Sequence, residues 1–282
     1  MSKILILGLD GLDYYLSKRW NVKHILQRFN GTFDVSDISI LYTPLIWSSI
    51  LCGYNVEKRG YNYNTAVKKS LGILGVFYNV KRKIIKKRTP FLRTMLIKLG
   101  LLKANFIMPK DLRKDSFLEI LKNKGFKVYA LEVPGYNEEL NGKYRLKMHD
   151  IVTAKISIKK KFIECVKEDS LRRLREISFA LEGYDVVMGY LPLPDLAHHL
   201  FYHSIKSKIF MYGLYRWLDS VVYTTLLKKA YELGFTVIIL SDHGFLMERN
   251  THSPYAFWSS NIPLVIKTYK DIKNQILKII RK

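Results

Sequence analysis

Three aspartates in this sequence follow apolar runs that are typical of buried strands. Asp10 comes directly after one run. Asp242 comes after a second run with one residue between them, and Asp195 comes after a third run with three residues between them. Ligands of open α/β sheets bind outside the carboxyl ends of the strands, so neighbouring strands would bring these carboxylates together. Converging carboxylates repel one another unless protons or cations compensate them, and metal ions are the simplest compensation.

Histidines accompany these acids. His199 follows Asp195 by four residues, so the two would share one face of a helix. His243 adjoins Asp242, and His252 follows in a polar loop. Asp and His ligands without a thiolate suit Zn²⁺, Mn²⁺ or Fe. One such pair is weak support for a metal site, whereas the whole set at strand ends favours one.

The elements that must position these residues alternate between strands and helices. The strand-like runs are continuously apolar, as expected for strands covered on both faces, and the stretches between them have helical spacing. This alternation predicts an α/β fold with a mostly parallel sheet covered by helices. The strand-like runs are Ile4–Leu9, Lys127–Val133, Val186–Leu191 and Thr236–Leu240, and the helical stretches are Phe117–Lys124, Val166–Leu181, Phe210–Leu233 and a terminal Tyr269–Lys282.

Composition restricts the class of protein. With 48% hydrophobic and 25% charged residues in 282, the chain is typical of a globular rather than a disordered protein. No apolar run approaches the roughly 20 residues that span a bilayer. Two cysteines are too few for a disulfide framework or a thiolate metal cage, and we expect Cys52 and Cys165 to be small buried residues. The start lacks the pattern of a signal peptide, so we expect a cytoplasmic location.

Residues 76–114 break the pattern with a concentration of positive charge. They hold twelve Lys or Arg residues against one acid, Asp111, in a chain whose net charge is +23. Apolar residues at helical spacing also occur there, so we predict a small, partly helical, basic inserted cap at 76–114, with residues 1–75 and 115–282 as the core. A solvated basic helix without a ligand is the alternative. The excess charge suits nucleic acid, an anionic membrane surface or a phosphorylated substrate.

Six segments together resemble the type I phosphodiesterase / nucleotide pyrophosphatase branch of the alkaline phosphatase superfamily. The resemblance runs from Lys3 to about Ser260, interrupted by the basic insert, and Arg59 departs from it where the family has His. The segments are LILGLDGLD around Asp10, Thr43-Pro-Leu-Ile-Trp-Ser-Ser-Ile-Leu-Cys-Gly53, Lys58-Arg59-Gly60-Tyr61, the pair Asp195 and His199, Ser241-Asp242-His243-Gly244-Phe245, and His252 within Thr-His-Ser-Pro-Tyr.

The resemblance implies a three-layer alkaline-phosphatase-like fold and two divalent metal ions, Zn²⁺ in the first place and Mn²⁺ as the alternative. It implies that Thr43 is the nucleophile and forms a phosphothreonine, and that Asn64 helps to hold the phosphoryl oxygen. A Thr43 that merely caps a helix starting near Pro44 is the structural alternative. The implied ligand sets are Asp195, His199 and His252 for one ion, and Asp10, Thr43, Asp242 and His243 for the other.

The implied activity is phosphodiesterase or nucleotide pyrophosphatase action on a small-molecule, lipid or nucleotide phosphate ester. Within the superfamily, a phosphomonoesterase, a phosphonate hydrolase and a metal-dependent phosphomutase are alternatives. Outside it, the basic insert could contact polyanions or an anionic membrane surface in a protein that only binds nucleic acid or membranes. That reading leaves the acids and histidines unexplained. The sequence does not fix the oligomeric state.

Overall fold

The structure is a computed structural model that describes residues 2–63, 65, 107–201, 205–246 and 251–280. Its centre is a six-stranded sheet in the order β2-β8-β5-β1-β4-β3, with β6 and β7 forming a separate pair. The strands are β1 (Ile4–Leu9), β2 (Phe29–Asp34), β3 (Val128–Leu131), β4 (Val186–Leu191), β5 (Thr236–Leu240), β6 (Gly244–Leu246), β7 (Thr251–Ser253) and β8 (Tyr255–Ser260).

The sheet is mostly parallel. β1 lies between β4 and β5 and pairs in parallel with both, and β3 pairs in parallel with β4. β8 alone among the six strands runs against its neighbours β5 and β2. The predicted α/β fold with a mostly parallel sheet is therefore confirmed. The predicted third strand, 127–133, is shorter because only Val128–Leu131 pair with the sheet, at its edge.

Helices connect the strands and cover the sheet. The predicted helix 166–181 begins earlier, at Ile156, and the predicted helix 210–233 begins at Ile205 and contains a π-helical turn at Tyr223–Leu227. The helices are α1 (Tyr14–Arg19), α2 (Thr43–Cys52), α3 (Lys110–Arg113), α4 (Phe117–Asn123), α5 (Leu140–Ile151), α6 (Ile156–Ala180), α7 (Asp195–Phe201), α8 (Ile205–Val222), α9 (Lys228–Glu232) and α10 (Tyr269–Ile279), with a 3₁₀ turn at Val56–Arg59.

The two faces of the sheet carry separate hydrophobic cores, which gives three layers. Because side chains alternate along a strand, Ile4 and Ile6 of β1 pack in the core with α2, α4 and α10. Leu5 and Leu7 pack in the other core, with α6 and α8. Burial of such side chains contributes about 1.5–3 kcal/mol each. The central strands have continuous apolar runs because both of their faces are buried. Their parallel pairing holds the carboxyl ends of β1, β4 and β5 side by side.

One expectation about a single residue is wrong. Cys52 is buried as expected, but Cys165 is exposed, because it lies on the outer face of the amphipathic helix α6. Asp13 is the N-cap of α1 and accepts from the Leu16 N–H, yet it is buried because its other carboxylate oxygen accepts from the Phe245 N–H. Asp13 thus ties β1 to the segment after β5.

Residues 76–106 of the predicted basic cap, and Asn64, lie outside the described residues. The described part of that stretch contains the short helix α3, and the cap and the division of domains stay predictions. Within the ranges that are described, no helix combines the length and the apolar character that a membrane span requires.

Candidate metal centre

The backbone joins the three strand ends that carry the aspartates. The Asp195 N–H donates to the Asp10 carbonyl at 2.9 Å, and the Asp10 N–H donates to the Leu191 carbonyl at the end of β4 at 3.0 Å. The Gly11 N–H donates to Asp242 Oδ1 at 3.3 Å. The order of the strands therefore brings the three carboxylates to one edge of the sheet, the edge at which the parallel strands end.

Gly11 is required for this close approach. Its φ is +62°, a backbone conformation that other residues rarely adopt. A Cβ at this position would lie 2.8 Å from Asp195 Cβ and 3.1 Å from His243 Cε1. The Asp-Gly pair after β1 thus supplies both a carboxylate and the space for its neighbours.

We call Asp10, Asp242 and His243 the inner cluster. All three side chains are buried, and His243 Nε2 lies 3.6 Å from Asp10 Oδ1 and 3.5 Å from Asp242 Oδ2. Asp195 also offers a ligand atom within 4.8 Å of those of Asp10 and His243. The inner cluster is therefore rich in carboxylates and closed to water.

We call Asp195, His199 and His252 the outer cluster. Their ligand atoms also lie within 4.8 Å of one another. Asp195 Oδ1 is 3.4 Å from His199 Nε2 and 3.5 Å from His252 Nε2, and the two Nε2 atoms are 2.9 Å apart. The imidazoles are partly open to solvent, with side-chain exposures of 22% and 20%. Asp195 stands between the two clusters.

Two histidines are oriented by backbone carbonyls. His243 Nδ1 donates to the Gly244 carbonyl at 3.0 Å, and His252 Nδ1 donates to the Leu41 carbonyl at 2.9 Å, because a carbonyl oxygen only accepts. In the neutral ring, Nε2 then carries the lone pair that faces the aspartates. Histidines that bind metals typically donate their other ring N–H in this way.

The electrostatics follow from burial and crowding. Burial, together with the Asp242 and Asp195 carboxylates, raises the pKa of Asp10 well above its usual range. Burial acts in the same direction on Asp195, but His199 and His252 outweigh it and hold the pKa of Asp195 well below its usual range. Burial alone would lower the pKa of His252, and the Asp195 carboxylate raises it instead. The outer cluster thus balances its own charge, and the inner cluster does not.

Several buried polar atoms at this edge have no hydrogen-bond partner among the described residues. They are Asp10 Oδ1, Asp195 Oδ1, Asp242 Oδ2 and His243 Nε2. Leaving one buried polar atom unsatisfied costs about 1–3 kcal/mol, and more when the atom is charged. All four are oxygen or imidazole nitrogen ligands that point into one space, so the residues fit divalent cations.

Thr43 is the first residue of α2, and it is buried. The N-cap is Tyr42 and Pro44 is the second helical residue, so Thr43 does not occupy the capping position of a helix that starts at Pro44. Leu41, two residues earlier, accepts the His252 hydrogen bond. This bond holds the start of α2 next to the outer cluster.

Two residues that the sequence did not single out, Tyr190 and Arg145, adjoin the inner cluster. Tyr190, near the end of β4, packs edge-on against Trp47 of α2 and donates a short hydrogen bond to Asp10 Oδ2. Arg145 of α5 forms an ion pair with the buried carboxylate of Glu138. No motif marks these residues, because each belongs to an ordinary strand or amphipathic helix in the sequence.

Arg145 lies on the face of α5 that points to the site. Asn141, four residues earlier on that face, accepts from Arg173, which also donates to the Tyr190 carbonyl. Burial disfavours the charge of Arg145, but Glu138 raises its pKa, with further contributions from Tyr42, Tyr190 and Asp10. Arg145 therefore adds a fixed positive charge near Asp10.

His198, beside His199, has a packing role. It is buried, stacks on Phe245 and shares a hydrogen bond with the Tyr215 hydroxyl. Burial lowers the pKa of His198 to about 3, so the ring is neutral. His198 stabilises the packing of α7 and belongs to neither cluster.

The fold and the two clusters define an α/β protein with a candidate centre for metal ions. The family model for type I phosphodiesterases / nucleotide pyrophosphatases matches residues 4–262. The chain therefore belongs to this family. No curated protein matched the sequence.

The chain is also similar to solved structures at low identity. Mouse and human ectonucleotide pyrophosphatase / phosphodiesterase 5 are 14% and 15% identical to it, with TM-scores of 0.48 and 0.47 over 86% of this chain. The matched part spans 57% of those two proteins. Alkaline phosphatase from the Antarctic bacterium TAB5 is 13% identical, with a TM-score of 0.44 over 99% of this chain and 98% of that one.

Proposed function

We propose that this protein is a phosphodiesterase of the nucleotide pyrophosphatase type, with Thr43 as nucleophile and two divalent cations. The observation that carries the proposal is the convergence, in two adjoining clusters, of buried ligand atoms that have no hydrogen-bond partner among the described residues, beside the start of α2. Family membership supports the general reaction. Zn²⁺ is the first candidate and Mn²⁺ the second, because the ligands are carboxylates and imidazoles without a thiolate.

The outer cluster would hold one cation and the inner cluster, with Thr43, the other. Asp195 lies within ligand distance of both groups and is assigned to the outer cation. Bound cations would supply positive charge that favours ionisation of the Thr43 hydroxyl and stabilises the leaving oxygen. No other base is required for Thr43.

Thr43 then acts as the nucleophile in two displacements. Its oxygen loses the proton to solvent and forms a bond to phosphorus, while the bond from phosphorus to the leaving ester oxygen breaks and that oxygen takes up a proton from solvent. Attack of water on the phosphothreonine restores the hydroxyl and releases the phosphate product. The N-terminus of α2 favours the negative charge of the bound phosphoryl group. We propose that Asn64 holds a phosphoryl oxygen, in keeping with the family resemblance.

A second candidate is phosphomonoesterase activity, which Arg145 favours. A monoester carries one more negative charge than a diester, and a buried guanidinium near Asp10 would offset that charge. Glu138 neutralises Arg145 in part, which leaves the diesterase as the first candidate.

Relative rates on bis-p-nitrophenyl phosphate and p-nitrophenyl phosphate would separate the two candidates. The protein is stripped with a chelator and assayed before and after addition of Zn²⁺ or Mn²⁺. We expect activity only after addition, with the diester preferred. A preference for the monoester would favour the second candidate, and chelator-insensitive hydrolysis would contradict both.

Two arginine variants sharpen that assay. Arg145→Ala should lower the rate on the monoester more than the rate on the diester, if the guanidinium contacts the additional charge. Arg172→Ala is the matched control, because Arg172 makes ion pairs with Asp169 and Glu176 on the exposed face of α6. Equal losses on both esters in Arg145→Ala would assign Arg145 a structural role.

A further inference from the structure

The turn between α5 and α6 exposes apolar and basic side chains together. We call residues 147–161 the basic tip; it contains five lysines and one acid, Asp150. Ile156 and Ile158 are 56% and 49% exposed, and Val152 is exposed as well. Scattered single apolar residues on a surface are ordinary, but these three lie within seven residues of one another, among exposed lysines. The lysines are Lys147, Lys155, Lys159, Lys160 and Lys161.

The basic tip projects beyond the edge of the sheet that carries the metal centre. Arg173 of α6 donates to the carbonyl of Tyr190, one residue before the end of β4. The helix starts at Ile156, so its first 17 residues, about 25 Å of helix, precede that contact. Ile177, four residues after Arg173, packs against Gly189, one residue before Tyr190. The helix α6 therefore runs antiparallel to β4, and its start lies beyond the carboxyl end of that strand.

The basic tip also borders the helix that carries the outer cluster. Lys159 Nζ donates to the Leu200 carbonyl of α7 at 3.4 Å. Leu200 directly follows His199, whose imidazole is partly open to solvent. The tip and the open side of the candidate metal centre therefore lie at the same end of the molecule.

We propose that the basic tip docks on an anionic lipid surface. Lysines are attracted by the negative potential of such a surface, and apolar side chains enter the boundary between headgroups and acyl chains. The net charge of +23 acts in the same direction. Nucleic acid would use the lysines but would leave Ile156 and Ile158 in water, so the isoleucines favour lipid over a polynucleotide.

Docking of this kind would place the metal centre within reach of lipid headgroups. The docking proposal does not rest on the proposed function, because binding is measured without turnover. A protein that docks but hydrolyses nothing would contradict only the catalytic proposal, and a protein that hydrolyses soluble esters but does not dock would contradict only this one.

Sedimentation of the full chain with vesicles tests the proposal. The vesicles contain phosphatidylcholine alone or phosphatidylcholine mixed with phosphatidylserine, and the variants are Ile156→Ser with Ile158→Ser, and Lys160→Glu with Lys161→Glu. We expect the wild type to sediment with the phosphatidylserine vesicles, and each double variant to lose at least about tenfold in partitioning. Thermal melting checks that each variant is folded.

Matched controls lie at the opposite edge of the sheet. Phe179→Ser removes a side chain that is 75% exposed at the far end of the same helix, and Lys124→Glu with Lys127→Glu reverses two exposed charges near the start of β3. Both controls should bind within about twofold of wild type if only the tip contacts lipid.

Three outcomes would overturn the proposal. The wild type does not sediment with either kind of vesicle, or the folded tip variants bind as the wild type does, or the controls lose as much binding as the tip variants. Binding of single-stranded RNA that depends on the lysines but not on the isoleucines, without vesicle binding, would assign the tip to nucleic acid instead.

Discussion

The inner and outer clusters share one edge of the sheet but differ in how their charge is balanced. The inner cluster is fully buried and has two carboxylates for one imidazole, and burial together with the neighbouring carboxylates raises the pKa of Asp10. The outer cluster has two imidazoles for one carboxylate and is partly open to solvent. An aspartate of the inner cluster, Asp10, thus has a raised pKa, and the aspartate of the outer cluster, Asp195, a few ångströms away, has a lowered pKa.

From this difference we infer how tightly the two proposed cations would bind and how fast they would exchange. A cation in the inner cluster would relieve carboxylate repulsion that Tyr190 and Arg145 offset only in part, so we expect tight binding and slow exchange. A cation in the outer cluster would replace an arrangement in which Asp195 already pairs with two imidazoles. We expect the outer cation to bind more weakly and to exchange faster.

The largest expected effect tests the proposed nucleophile, Thr43, at the start of α2. Thr43→Ala should lower kcat by at least about 10³-fold, because no other hydroxyl is assigned to attack phosphorus. Metal content, measured by elemental analysis, should stay at the wild-type level. Thr43→Ser keeps a hydroxyl and should retain part of the activity. Hydrolysis by Thr43→Ala at the wild-type rate would end the nucleophile assignment.

The inner cluster is tested next by Asp242→Asn. Loss of one carboxylate should remove one cation per chain and lower kcat by about 10²-fold or more, because a neutral amide is a poor ligand. Asp37→Asn is the control, since Asp37 makes an exposed ion pair with Lys270. Full metal occupancy in Asp242→Asn would count against the inner cluster as a cation site.

A smaller effect is expected in the outer cluster from His252→Gln. We predict a loss of about 10–100-fold in metal affinity, with activity restored by a higher concentration of Zn²⁺. His24→Gln is the control, because His24 is exposed and stacks on Tyr223 away from the centre. If excess metal restores Asp242→Asn as readily as His252→Gln, the inferred difference between the clusters is wrong.

Removal of metal should change stability by a modest amount. A ligand at about 100 times its Kd stabilises the folded state by about 2.7 kcal/mol, which corresponds to a shift in Tm of roughly 5–10 °C for a chain of this size. Calorimetry with and without chelator measures the shift. Removal of the outer cation alone should cause less than half of this shift in Tm. An unchanged Tm after removal of both cations would contradict the proposal that a cation compensates the charge of the inner carboxylates.

The smallest expected effect concerns the far end of α2. Burial raises the pKa of the Cys52 thiol to about 12, so at pH 8 it is protonated and enclosed. An alkylating reagent should modify the exposed Cys165 and leave Cys52 unmodified, with or without metal. Modification of Cys52 after chelation would mean that loss of the outer cation loosens α2 along its whole length.

The sequence predicts the inner cluster better than the outer one, for a physical reason. Asp10 and Asp242 follow buried strands whose continuous apolar runs are unmistakable, so their positions at the sheet edge follow from the fold. The position of His252 depends on the β6-β7 pair, which is too short to show a pattern. The resemblance to the family, rather than periodicity, pointed to it.

Other features of the structure had no local pattern to predict them. β2 is interrupted by Asn30 and Gly31, and the apolar run of β8 is only four residues long, so the pairing of these two strands depends on long-range contacts. Arg145 of α5 forms an ion pair with Glu138, which lies just before the start of that helix, and no motif marks the pair. Cys165 is exposed because it lies on the outer face of α6, and the spacing read from Val166 onward did not include its position.

An anomalous-scattering map of crystals soaked in Zn²⁺ would locate the proposed cations. We expect two peaks about 4 Å apart, one among Asp195, His199 and His252 and the other among Asp10, Asp242 and His243, next to the Thr43 hydroxyl. A protein that hydrolyses phosphate esters while both clusters stay free of zinc and manganese would contradict this expectation.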